Sequence, residues 1–444
     1  MAGRGSSLKA KLEAYKSRVL GTIEKSVEHV AEKVNTGKKR KPELRNDSTR
    51  SSKKRGANKS GGKDPSTLYL RDPRKAPICG EAVHLMKRLN FGKFFNIVLG
   101  EKIGWRTTAK LSVRGNPPVI GLFAPGSHKV VSLLESETHH PSINEIVKSI
   151  DTNVKLLKIP GYDGVNPGGL SYICCNVELV SGKVQLVCVF NTEFENEVST
   201  KMMRKLVAQV KKDSTLLHSA WLHCNPSDRH NNAIYSHDPR AWNLIDGEKC
   251  IVDTLNEVKV GYSMRPQLYF PPFVFRQANI AQFSKIVSQI RKWIIKDCKV
   301  VELYAGVGTI GFHVLDLVSS LDCSDENPNN EECFKRTLNE LPYLQQKKAT
   351  YYPLSASKIA SGGGLDGAEI LIVDPPRKGL DPEVLEAIKN SHTLKRVVYV
   401  SCGFKAFSRD CVEICSYGFQ IIHGEGYLLF PGSNHIETLA VFEK

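Results

Sequence analysis

The sequence predicts an α/β protein with a Rossmann-like domain at its C-terminus, over residues 263–444. A β-rich α+β domain over residues 66–262 and a disordered basic tail over residues 1–65 are predicted to precede it. Three observations support this division. Apolar runs alternate with glycine loops and helical stretches in the last part, short strands bounded by Gly, Pro and Asn fill the middle, and large hydrophobic residues almost disappear from the tail after Val34.

The tail has the composition of a segment that does not fold alone. Lys, Arg, Ser, Gly and Asn dominate it, so it has too little apolar surface to bury. An amphipathic helix near residues 12–34 is compatible with its pattern. Two basic clusters, Lys38–Lys41 and Lys53–Arg55, fit a nuclear import signal or an arm that contacts phosphates. The alternative is a solvated tail without a specific partner.

The middle of the chain is predicted to form a β-rich domain. Its alternating or apolar runs indicate strands, and longer periodic stretches indicate two helices. The predicted strands are 109–113, 119–123, 172–180 and 184–190, and the predicted helices are 144–157 and 200–211. No pattern in this domain is catalytic by itself.

The last part of the chain alternates strand, glycine loop and helix. Val300–Tyr304 is predicted as a strand, Ala305–Gly308 as a tight turn and Ile310–Leu317 as the start of a helix. Further strands are predicted at 370–373, 396–400 and 439–442. Such alternation predicts a doubly wound parallel sheet that binds ligands at the carboxyl ends of its strands.

Charge limits the classes of partner. The chain has 62 Lys and Arg residues against 46 Asp and Glu residues, and its formal net charge is +16. A surplus of this size predicts attraction to polyanions, including nucleic acids. No apolar run reaches the ~20 residues that a membrane-spanning helix needs, so no membrane partner is expected.

Cysteine usage and the N-terminal residues bear on the compartment. The twelve cysteines lack the dense spacing of a secreted disulfide framework, which indicates reduced thiols. The first residues lack the apolar stretch of a secretory signal, and Glu13, Glu24, Glu28 and Glu32 disfavour an organellar transit peptide. We expect an intracellular protein, nuclear or cytoplasmic, and nothing in the sequence argues against a monomer.

A glycine loop, Glu302–Thr309, follows the first predicted strand of the C-terminal domain. Gly306 and Gly308 would let the backbone approach a ligand without a Cβ clash, although such a loop alone is weak evidence. Asp325 falls where the second strand should end, and a carboxylate there can accept hydrogen bonds from both ribose hydroxyls. Loop and carboxylate together favour an adenosine cofactor.

The same loop nominally matches the dinucleotide fingerprint, with a third glycine at Gly311. An NAD enzyme is therefore a rival hypothesis. The rest of the domain disfavours it, because an Asp-Pro-Pro-Arg segment at residues 374–377 has no role in hydride transfer. Its two prolines make a rigid extended lip that can line a pocket for a flipped base.

A thiol and a carboxylate are predicted at the same sheet edge. Cys402 ends the strand that begins near Val397, and Glu437 lies close to the last strand. A cysteine at a strand end is more often packing than chemistry, but the neighbouring carboxylates favour chemistry here. These groups suit methylation at carbon 5 of uracil, in which Cys402 adds to carbon 6, the resulting enolate takes a methyl group, and Glu437 removes the carbon 5 proton.

Residues 268–444 resemble the catalytic domain of the RNA (uracil-5-)-methyltransferase family, a class I methyltransferase family that uses S-adenosylmethionine on tRNA and rRNA. The segments that resemble it are 275–279 (FRQAN), 303–309 (LYAGVGT), 374–377 (DPPR), 400–402 (VSC) and 435–438 (HIET). The resemblance implies Cys402 as nucleophile and Glu437 as base. It further implies a set of residues around the cofactor and the base: Gln277, Tyr304, Gly306, Gly308, Thr309, Asp325 and Asp374, with Phe275 and Arg377 contacting the substrate.

The resemblance has limits that affect the expected substrate and cofactors. Family members usually have Ser-Cys-Asn-Pro at the nucleophile, whereas this chain has Ser-Cys-Gly-Phe at residues 401–404. The two changed residues, Gly403 and Phe404, are expected to alter the geometry of the base pocket. Cys79 is the only cysteine before Cys174, so no four-cysteine iron-sulfur cluster is expected. No His and Cys spacing matches a zinc site either. Residues 100–262 resemble the family's central domain more weakly, and the domain over residues 66–262 is expected to recognise RNA.

Two rival functions remain at this point. A cytosine-5 RNA methyltransferase uses the same adduct chemistry but has a second cysteine after the proline of the fourth-strand segment, where this chain has none. An RNA-binding protein that keeps the fold without turnover is the other rival, and the changed Gly403-Phe404 pair is the feature that favours it.

Overall fold

The structure is a computed structural model that describes residues 65–124, 126–164, 167–226, 234–236 and 238–444. The predicted tail, its helix near residues 12–34 and both basic clusters lie outside the described residues. The described residues form a single compact unit that contains the sheets described below.

The first described elements belong with the C-terminal sheet. Two 3₁₀ turns, Pro65–Thr67 and Pro73–Lys75, lead into helix α1 (Pro77–Arg88) and strand β1 (Asn96–Leu99). Helix α1 packs its apolar side on the core of that sheet, and β1 pairs in parallel with the strand Gln420–Leu428. This differs from the predicted boundary, which gave residues 66–99 to the β-rich domain. The physical reason is that the Gln420–Leu428 strand has a free edge, and β1 covers it.

The middle of the chain forms a seven-stranded sheet, the central sheet, with order β4-β3-β2-β5-β6-β7-β8. Its neighbouring strands are antiparallel except β6 and β7, which are parallel and joined through a helix. The two predicted helices are confirmed, and their apolar sides cover one face of the sheet. The elements are β2 (Thr108–Arg114), β3 (Val119–Phe123), β4 (Val130–Ser132), α2 (Pro141–Leu156), β5 (Leu170–Val177), β6 (Val184–Phe190), α3 (Glu197–Asp213), β7 (Leu217–Cys224) and β8 (Trp242–Gly247).

A short antiparallel pair, β9 (Ile251–Asp253) and β10 (Leu268–Phe270), connects the central sheet to the C-terminal part. Arg276, which follows it, is buried and forms an ion pair with Asp253 at 2.5 Å. The same guanidinium donates to Thr107 Oγ1 at 2.9 Å and to the carbonyl of Val177 at 2.7 Å. Arg276 thereby fixes the connecting segment against the ends of β2 and β5.

The C-terminal part forms an eight-stranded sheet, the catalytic sheet, with order β1-β16-β17-β15-β14-β11-β12-β13. The predicted parallel sheet is confirmed, with one strand, β17, running antiparallel to both neighbours. Its elements are α4 (Ile280–Arg291), β11 (Lys299–Leu303), β12 (Ser320–Ser324), α5 (Asn329–Glu340), α6 (Tyr343–Gln346), β13 (Ala349–Tyr352), α7 (Ala356–Ser361), β14 (Ile370–Val373), α8 (Pro382–Asn390), β15 (Arg396–Ser401), α9 (Phe404–Ser416), β16 (Gln420–Leu428) and β17 (Glu437–Glu443).

The reversed strand determines what meets at the functional edge. Strands β11, β12, β14 and β15 are parallel, so their carboxyl ends lie along one edge of the catalytic sheet. Because β17 runs the other way, its first residue, Glu437, lies at that same edge. Ser401 pairs with Thr438, which places Cys402 and Glu437 next to each other in register. Within the described ranges, no helix is both long enough and apolar enough to cross a bilayer.

Candidate active site

The glycine loop turns sharply after β11. Tyr304, Gly306 and Gly308 all have positive φ, at 60°, 55° and 86°. A Cβ on Gly308 would lie 2.6 Å from the ring of Phe334, whereas a Cβ on Gly306 would meet nothing within 4 Å. Gly308 is therefore required by packing, and Gly306 borders open space on the ligand side of the loop.

The segment after the loop is not the regular helix that the sequence predicts. The structure has only a 3₁₀ turn over Gly311–His313, closed by His313 N donating to the carbonyl of Ile310 and Val314 N to that of Gly311. Gly311 fits tightly against the Glu302 side chain, since a Cβ there would lie 2.4 Å from Glu302 Oε2. Glycines at positions 306, 308 and 311 disfavour a helix, and close packing leaves room for the shorter turn.

Asp325 lies beside the glycine loop, as its position after β12 predicts. Its Oδ2 accepts a hydrogen bond from Gly306 N at 3.0 Å, and its Oδ1 accepts from Asn327 N at 2.9 Å and from Asn330 Nδ2 at 3.0 Å. Oδ2, bonded to one donor, retains a lone pair for another. The carboxylate is thus held in a fixed orientation next to Gly306.

Glu302 is a buried carboxyl under the glycine loop that sequence reasoning did not single out. Burial raises its pKa to about 8, although the Cys323 thiol, which donates to Oε2 at 3.3 Å, and the Gly311 N–H both lower it. The side chain is 2% exposed and fills the space behind Gly311. The sequence does contain a sign of it, because Glu302 is an acidic residue inside the otherwise apolar run Val300–Leu303.

The nucleophile and base candidates meet where the reversed strand requires. Cys402 follows β15 and is partly exposed, and Glu437 begins β17 and is 4% exposed. Burial raises the pKa of the Cys402 thiol to about 11, and the negative charges of Glu437 and Asp374 add to this, while Arg377 lowers it. All four side chains are therefore close enough to act on one another's charge.

The two carboxyl groups beside the thiol, Asp374 and Glu437, both have raised pKa values, so the state in which both are ionised is disfavoured. Burial raises the pKa of Asp374 to about 7. Burial also raises the pKa of Glu437 well above its usual range, Asp374 raises it further, and Arg377 opposes both effects. Two neighbouring desolvated carboxyl groups favour keeping at least one proton between them.

The remaining predicted residues are placed around this edge. The Tyr304 hydroxyl donates to Asp381 Oδ2 at 3.0 Å and accepts from Asp381 N at 3.2 Å, so Asp381 holds its phenol. Thr309 is half-buried and its carbonyl lies 2.8 Å from His313 Nδ1. Phe275 is 71% exposed and Gln277 is half-buried, on either side of the inward-pointing Arg276.

The changed residue after the nucleophile has a structural reason. A Cβ on Gly403 would lie 2.5 Å from the carbonyl oxygen of Arg377 and 2.8 Å from its Cα. Glycine therefore lets the Asp-Pro-Pro-Arg segment lie directly against the start of α9. Sequence reasoning did not find the buried residue behind this contact, Asp410, because an acidic residue in a helix is usually exposed.

Cysteine and metal-ligand side chains do not form a further centre in the described part of the chain. All twelve cysteines are free thiols. Among the described residues, no group of three or more His, Cys, Asp or Glu side chains is arranged to hold a metal ion.

Comparison with known proteins gives the family. A scan against protein-family models found no match. A protein from Protochlamydia amoebophila described as an uncharacterized RNA methyltransferase is 35% identical over 362 residues, which cover 80% of this chain and 90% of that protein. An uncharacterized RNA methyltransferase from Lactobacillus johnsonii is 26% identical over 358 residues, covering 78% of this chain and 73% of the relative.

A solved structure shares the fold. The Pyrococcus abyssi tRNA (uracil-54, C5)-methyltransferase in complex with S-adenosyl-L-homocysteine matches with a TM-score of 0.65 at 19% identity, over 85% of this chain and 86% of that one. At that identity the likeness shows the fold. The match to the Protochlamydia protein, at 35% identity, shows more: this chain belongs to the family of RNA methyltransferases that its motifs predicted.

Proposed function

We propose that this protein methylates carbon 5 of a uridine in structured RNA, with S-adenosylmethionine as methyl donor, through a covalent bond from Cys402 to carbon 6 of the base. One observation carries the proposal. Cys402 and Glu437 lie next to each other in register at the sheet edge that also bears the glycine loop. Membership in an RNA methyltransferase family argues against the rival NAD enzyme.

The residues at the glycine loop suit an adenosine cofactor. Gly306 faces open space that a Cβ would enter, and the Asp325 carboxylate lies beside it with acceptor capacity to spare. A ribose could donate its hydroxyls to that carboxylate while its adenosine lies along the glycine loop. The Pyrococcus abyssi protein with the same fold binds S-adenosyl-L-homocysteine, which supports this assignment. When bound, S-adenosylmethionine would supply an electrophilic methyl group.

Cys402 begins and ends the proposed reaction. Its thiolate forms a bond to carbon 6, and the electron pair of the C5=C6 bond moves toward the O4 carbonyl, which makes carbon 5 nucleophilic. Carbon 5 would bond to the methyl group as the methyl–sulfur bond of the donor breaks, which leaves S-adenosylhomocysteine, and Glu437 then takes the carbon 5 proton. The C5–H electron pair re-forms the double bond as the C6–S bond breaks, and its electrons return to the Cys402 sulfur.

The charges at the site match these roles. Glu437 must be a carboxylate when it takes the proton, and its raised pKa makes it a stronger base than an exposed glutamate. The raised pKa of Cys402 disfavours the thiolate in the free protein, so Arg377 is the side chain at this site that offsets the negative charge. Burial raises the pKa of Asp374 to about 7, so its protonated form is accessible at neutral pH and can donate to a uracil carbonyl.

The central sheet is proposed to contact the RNA around the target uridine. An aromatic ring and a cation lie together beside this sheet: the Arg240 guanidinium lies 5.0 Å from the ring centre of Phe194, which is 47% exposed. Phe275, 71% exposed, is suited to stack on a base. Rings that stack on bases next to cations that attract phosphates are typical of surfaces that bind single-stranded RNA. The net charge of +16 supports the same partner.

The experiment uses RNA that carries 5-fluorouridine. Fluorine at carbon 5 cannot leave as a proton, so the methylated adduct cannot break down and remains attached through denaturing electrophoresis. Purified full-length protein is incubated with this RNA, with and without S-adenosylmethionine, alongside Cys402→Ala and, as a control, Cys415→Ala. We expect a cofactor-dependent adduct for the wild type and for Cys415→Ala, and none for Cys402→Ala.

The other outcomes separate the rivals. Cofactor binding without any adduct on total RNA would overturn the proposal and favour an RNA-binding relative without turnover. An adduct on 5-fluorocytidine RNA in place of 5-fluorouridine RNA would favour the cytosine enzyme. The trapped RNA, once sequenced, identifies the substrate.

A further inference from the structure

We infer that Asp410 is a positioning residue, which holds the segment bearing Arg377 so that its guanidinium faces the Cys402 thiol. This inference rests on the proposed function, since it concerns the reactivity of the proposed nucleophile. Asp410 lies on α9, one helical segment beyond Cys402, and is fully buried. It does not belong to the set of residues that the sequence motifs single out.

Asp410 joins three separate elements through one carboxylate. Its Oδ2 accepts from Leu380 N at 2.9 Å and from the Tyr399 hydroxyl at 2.7 Å. Its Oδ1 accepts from Arg409 Nε at 2.8 Å, and Arg409 Nη2 reaches on to the carbonyl of Lys378 at 3.1 Å. The carboxylate thus ties the strand that leads to Cys402 to the segment that follows Arg377. A buried carboxylate with this many donors fixes its neighbours in one arrangement.

Two glycines make the contact with α9 close enough. Gly379 has φ +85°, and a Cβ there would lie 2.4 Å from Asp410 Oδ2 and 2.8 Å from the Cβ of Ala406. Gly403, on the other side, would place a Cβ 2.5 Å from the Arg377 carbonyl oxygen. The backbone of the segment is therefore pressed on α9 at both of these points, with Asp410 between them.

The segment continues to the cofactor loop. Asp381 lies three residues after Lys378. Its Oδ2 accepts a hydrogen bond from the Tyr304 hydroxyl at 3.0 Å, and its backbone N–H donates to the same hydroxyl oxygen at 3.2 Å. Tyr304 is in the left-handed region at φ 60°, next to the glycine loop. The ion pair of Lys378 with Asp381 at 2.5 Å is on the surface and adds little. Asp410 therefore holds the segment 377–381 from the protein interior. One end of this segment carries Arg377, and the other contacts Tyr304 beside the glycine loop.

The expected consequence is chemical. The charges that act on the Cys402 thiol come from Glu437 at the start of β17 and from Asp374 and Arg377 in the segment after β14. Burial lowers the pKa of the nearby His435 imidazole, and the charge of Arg377 lowers it further. Of these groups only Arg377 is a permanent cation, so a small displacement of it removes the charge that favours the thiolate. Around Asp410 itself, the charged and titratable groups are Arg409, Tyr399, Tyr304 and the buried Cys411.

The test measures thiol reactivity and needs no methyl transfer. Full-length wild type and Asp410→Asn are treated with iodoacetamide from pH 6 to 10, and the rate at the Cys402 peptide is followed by mass spectrometry. We expect Asp410→Asn to react about 3–10-fold more slowly at pH 8, with its profile displaced to higher pH, while its Kd for S-adenosylhomocysteine stays within about threefold. Arg377→Ala should shift the profile in the same direction.

The double variant distinguishes positioning from general damage. If Asp410 acts through Arg377, Asp410→Asn should have no further effect in an Arg377→Ala background. Asp316→Asn is the matched control, since Asp316 is also a buried carboxylate of this domain, paired with Arg291 at 2.6 Å and with Gly261 N at 2.7 Å. It should lower Tm and leave the Cys402 profile unchanged.

Three results would overturn the inference: a wild-type alkylation profile in Asp410→Asn, additive effects in the double variant, or an equal shift in Asp316→Asn. If Asp410→Asn does not fold, Gly403→Ala takes its place, because its φ of −107° accepts alanine and only the contact with Arg377 is disturbed. An unchanged profile there would overturn the inference too. Lack of methylation by the wild type would count against the proposed function alone, since the alkylation profile is read independently.

Discussion

The two halves of the active-site edge use different parts of the chain. At β11 and β12, a ligand would meet mainly backbone: positive-φ glycines, and one carboxylate, Asp325, that is itself held by backbone N–H groups. At β14, β15 and β17, it would meet side chains: the Cys402 thiol, two carboxyl groups with raised pKa values and one guanidinium. We call the first the cofactor half and the second the nucleophile half. Backbone geometry determines what the cofactor half can bind, whereas ionisable and charged side chains determine the chemistry of the nucleophile half.

This difference predicts separate failures. Changes in the cofactor half should weaken cofactor binding and leave the reactivity of the thiol intact, because the backbone geometry there does not depend on protonation. Changes in the nucleophile half should stop chemistry and leave cofactor affinity near its original value.

The largest effect is expected for Glu437→Gln. An amide cannot take the carbon 5 proton, so turnover should fall by about 10²–10⁴-fold. The methylated adduct should then accumulate with ordinary RNA that lacks fluorine, visible as a protein band of reduced mobility on denaturing gels. S-adenosylhomocysteine binding, measured by calorimetry, should be unchanged.

The matched control for that substitution is Glu425→Gln. Glu425 lies on the neighbouring strand β16, where its Oε2 accepts from the Tyr427 hydroxyl at 2.5 Å. It should turn over normally and form no stable adduct with ordinary RNA. Rapid release of methylated RNA by Glu437→Gln would exclude Glu437 as the base.

The next effect is expected from a pair of glycines. Gly306→Ala and Gly308→Ala both place an alanine at positive φ, which costs about 1–2 kcal/mol. Only the Gly308 variant also meets a ring, at 2.6 Å from Phe334. We expect Gly308→Ala to lower Tm clearly more than Gly306→Ala. Gly306→Ala should act mainly on the ligand, with a Kd for S-adenosylhomocysteine at least about tenfold weaker, because its methyl group enters the open space.

The Cys402 alkylation rate is the control for both glycine variants, and it should stay at the wild-type value. A slower rate in Gly306→Ala would show that the two halves are coupled beyond the Tyr304–Asp381 contact. Equal loss of Tm in both variants would contradict the packing difference between the two glycines.

A smaller effect is expected for Asp325→Asn. The amide keeps one acceptor for Gly306 N and loses the charge, so a hydrogen bond from a ribose hydroxyl should weaken by about 1–1.5 kcal/mol, or roughly tenfold in Kd. Asp322→Asn on the same strand is the control, because Asp322 pairs with Lys299 at 3.5 Å away from the loop. Equal cofactor affinity in both variants would remove Asp325 from the binding site.

The candidate residues Asp374 and Cys402 could be placed at one sheet edge from the sequence because each follows a largely apolar strand. The runs that precede Asp374 and Cys402 are buried on both faces, and in a parallel sheet the residue after such a run must lie at the ligand edge. The pattern therefore gave position as well as residue type. The glycine loop follows β11 in the same way, whereas the position of Asp325 was predicted from its spacing after that loop.

What could not be predicted depends on contacts between distant segments. The pairing of β1 with β16 joins Asn96 to Glu425, and no local pattern in either strand specifies the other. Asp410 has the appearance of an ordinary helix-surface acid until Leu380 and Tyr399 are seen to donate to it. The helix expected after Gly308 failed because local periodicity does not register the Glu302 side chain packed against Gly311.

The smallest effect is expected for Asp374→Asn, as a pH-dependent change in Tm. It tests the nucleophile half without RNA or cofactor. Burial raises the pKa of Asp374 to about 7, so the folded protein holds a proton that the unfolded chain releases near pH 4. This group therefore adds stability below pH 4 that is lost as pH rises through 7, where the buried carboxyl must ionise. Asparagine removes that loss, so the Tm of Asp374→Asn relative to wild type should be higher at pH 8 than at pH 5.

The exposed Glu413, bonded to Tyr417 at 3.1 Å, provides the control, since Glu413→Gln should shift Tm alike at both values. A relative Tm of Asp374→Asn that is equal at pH 5 and pH 8 would mean that Asp374 is solvated, and the nucleophile half would then lose one of its two desolvated carboxyl groups.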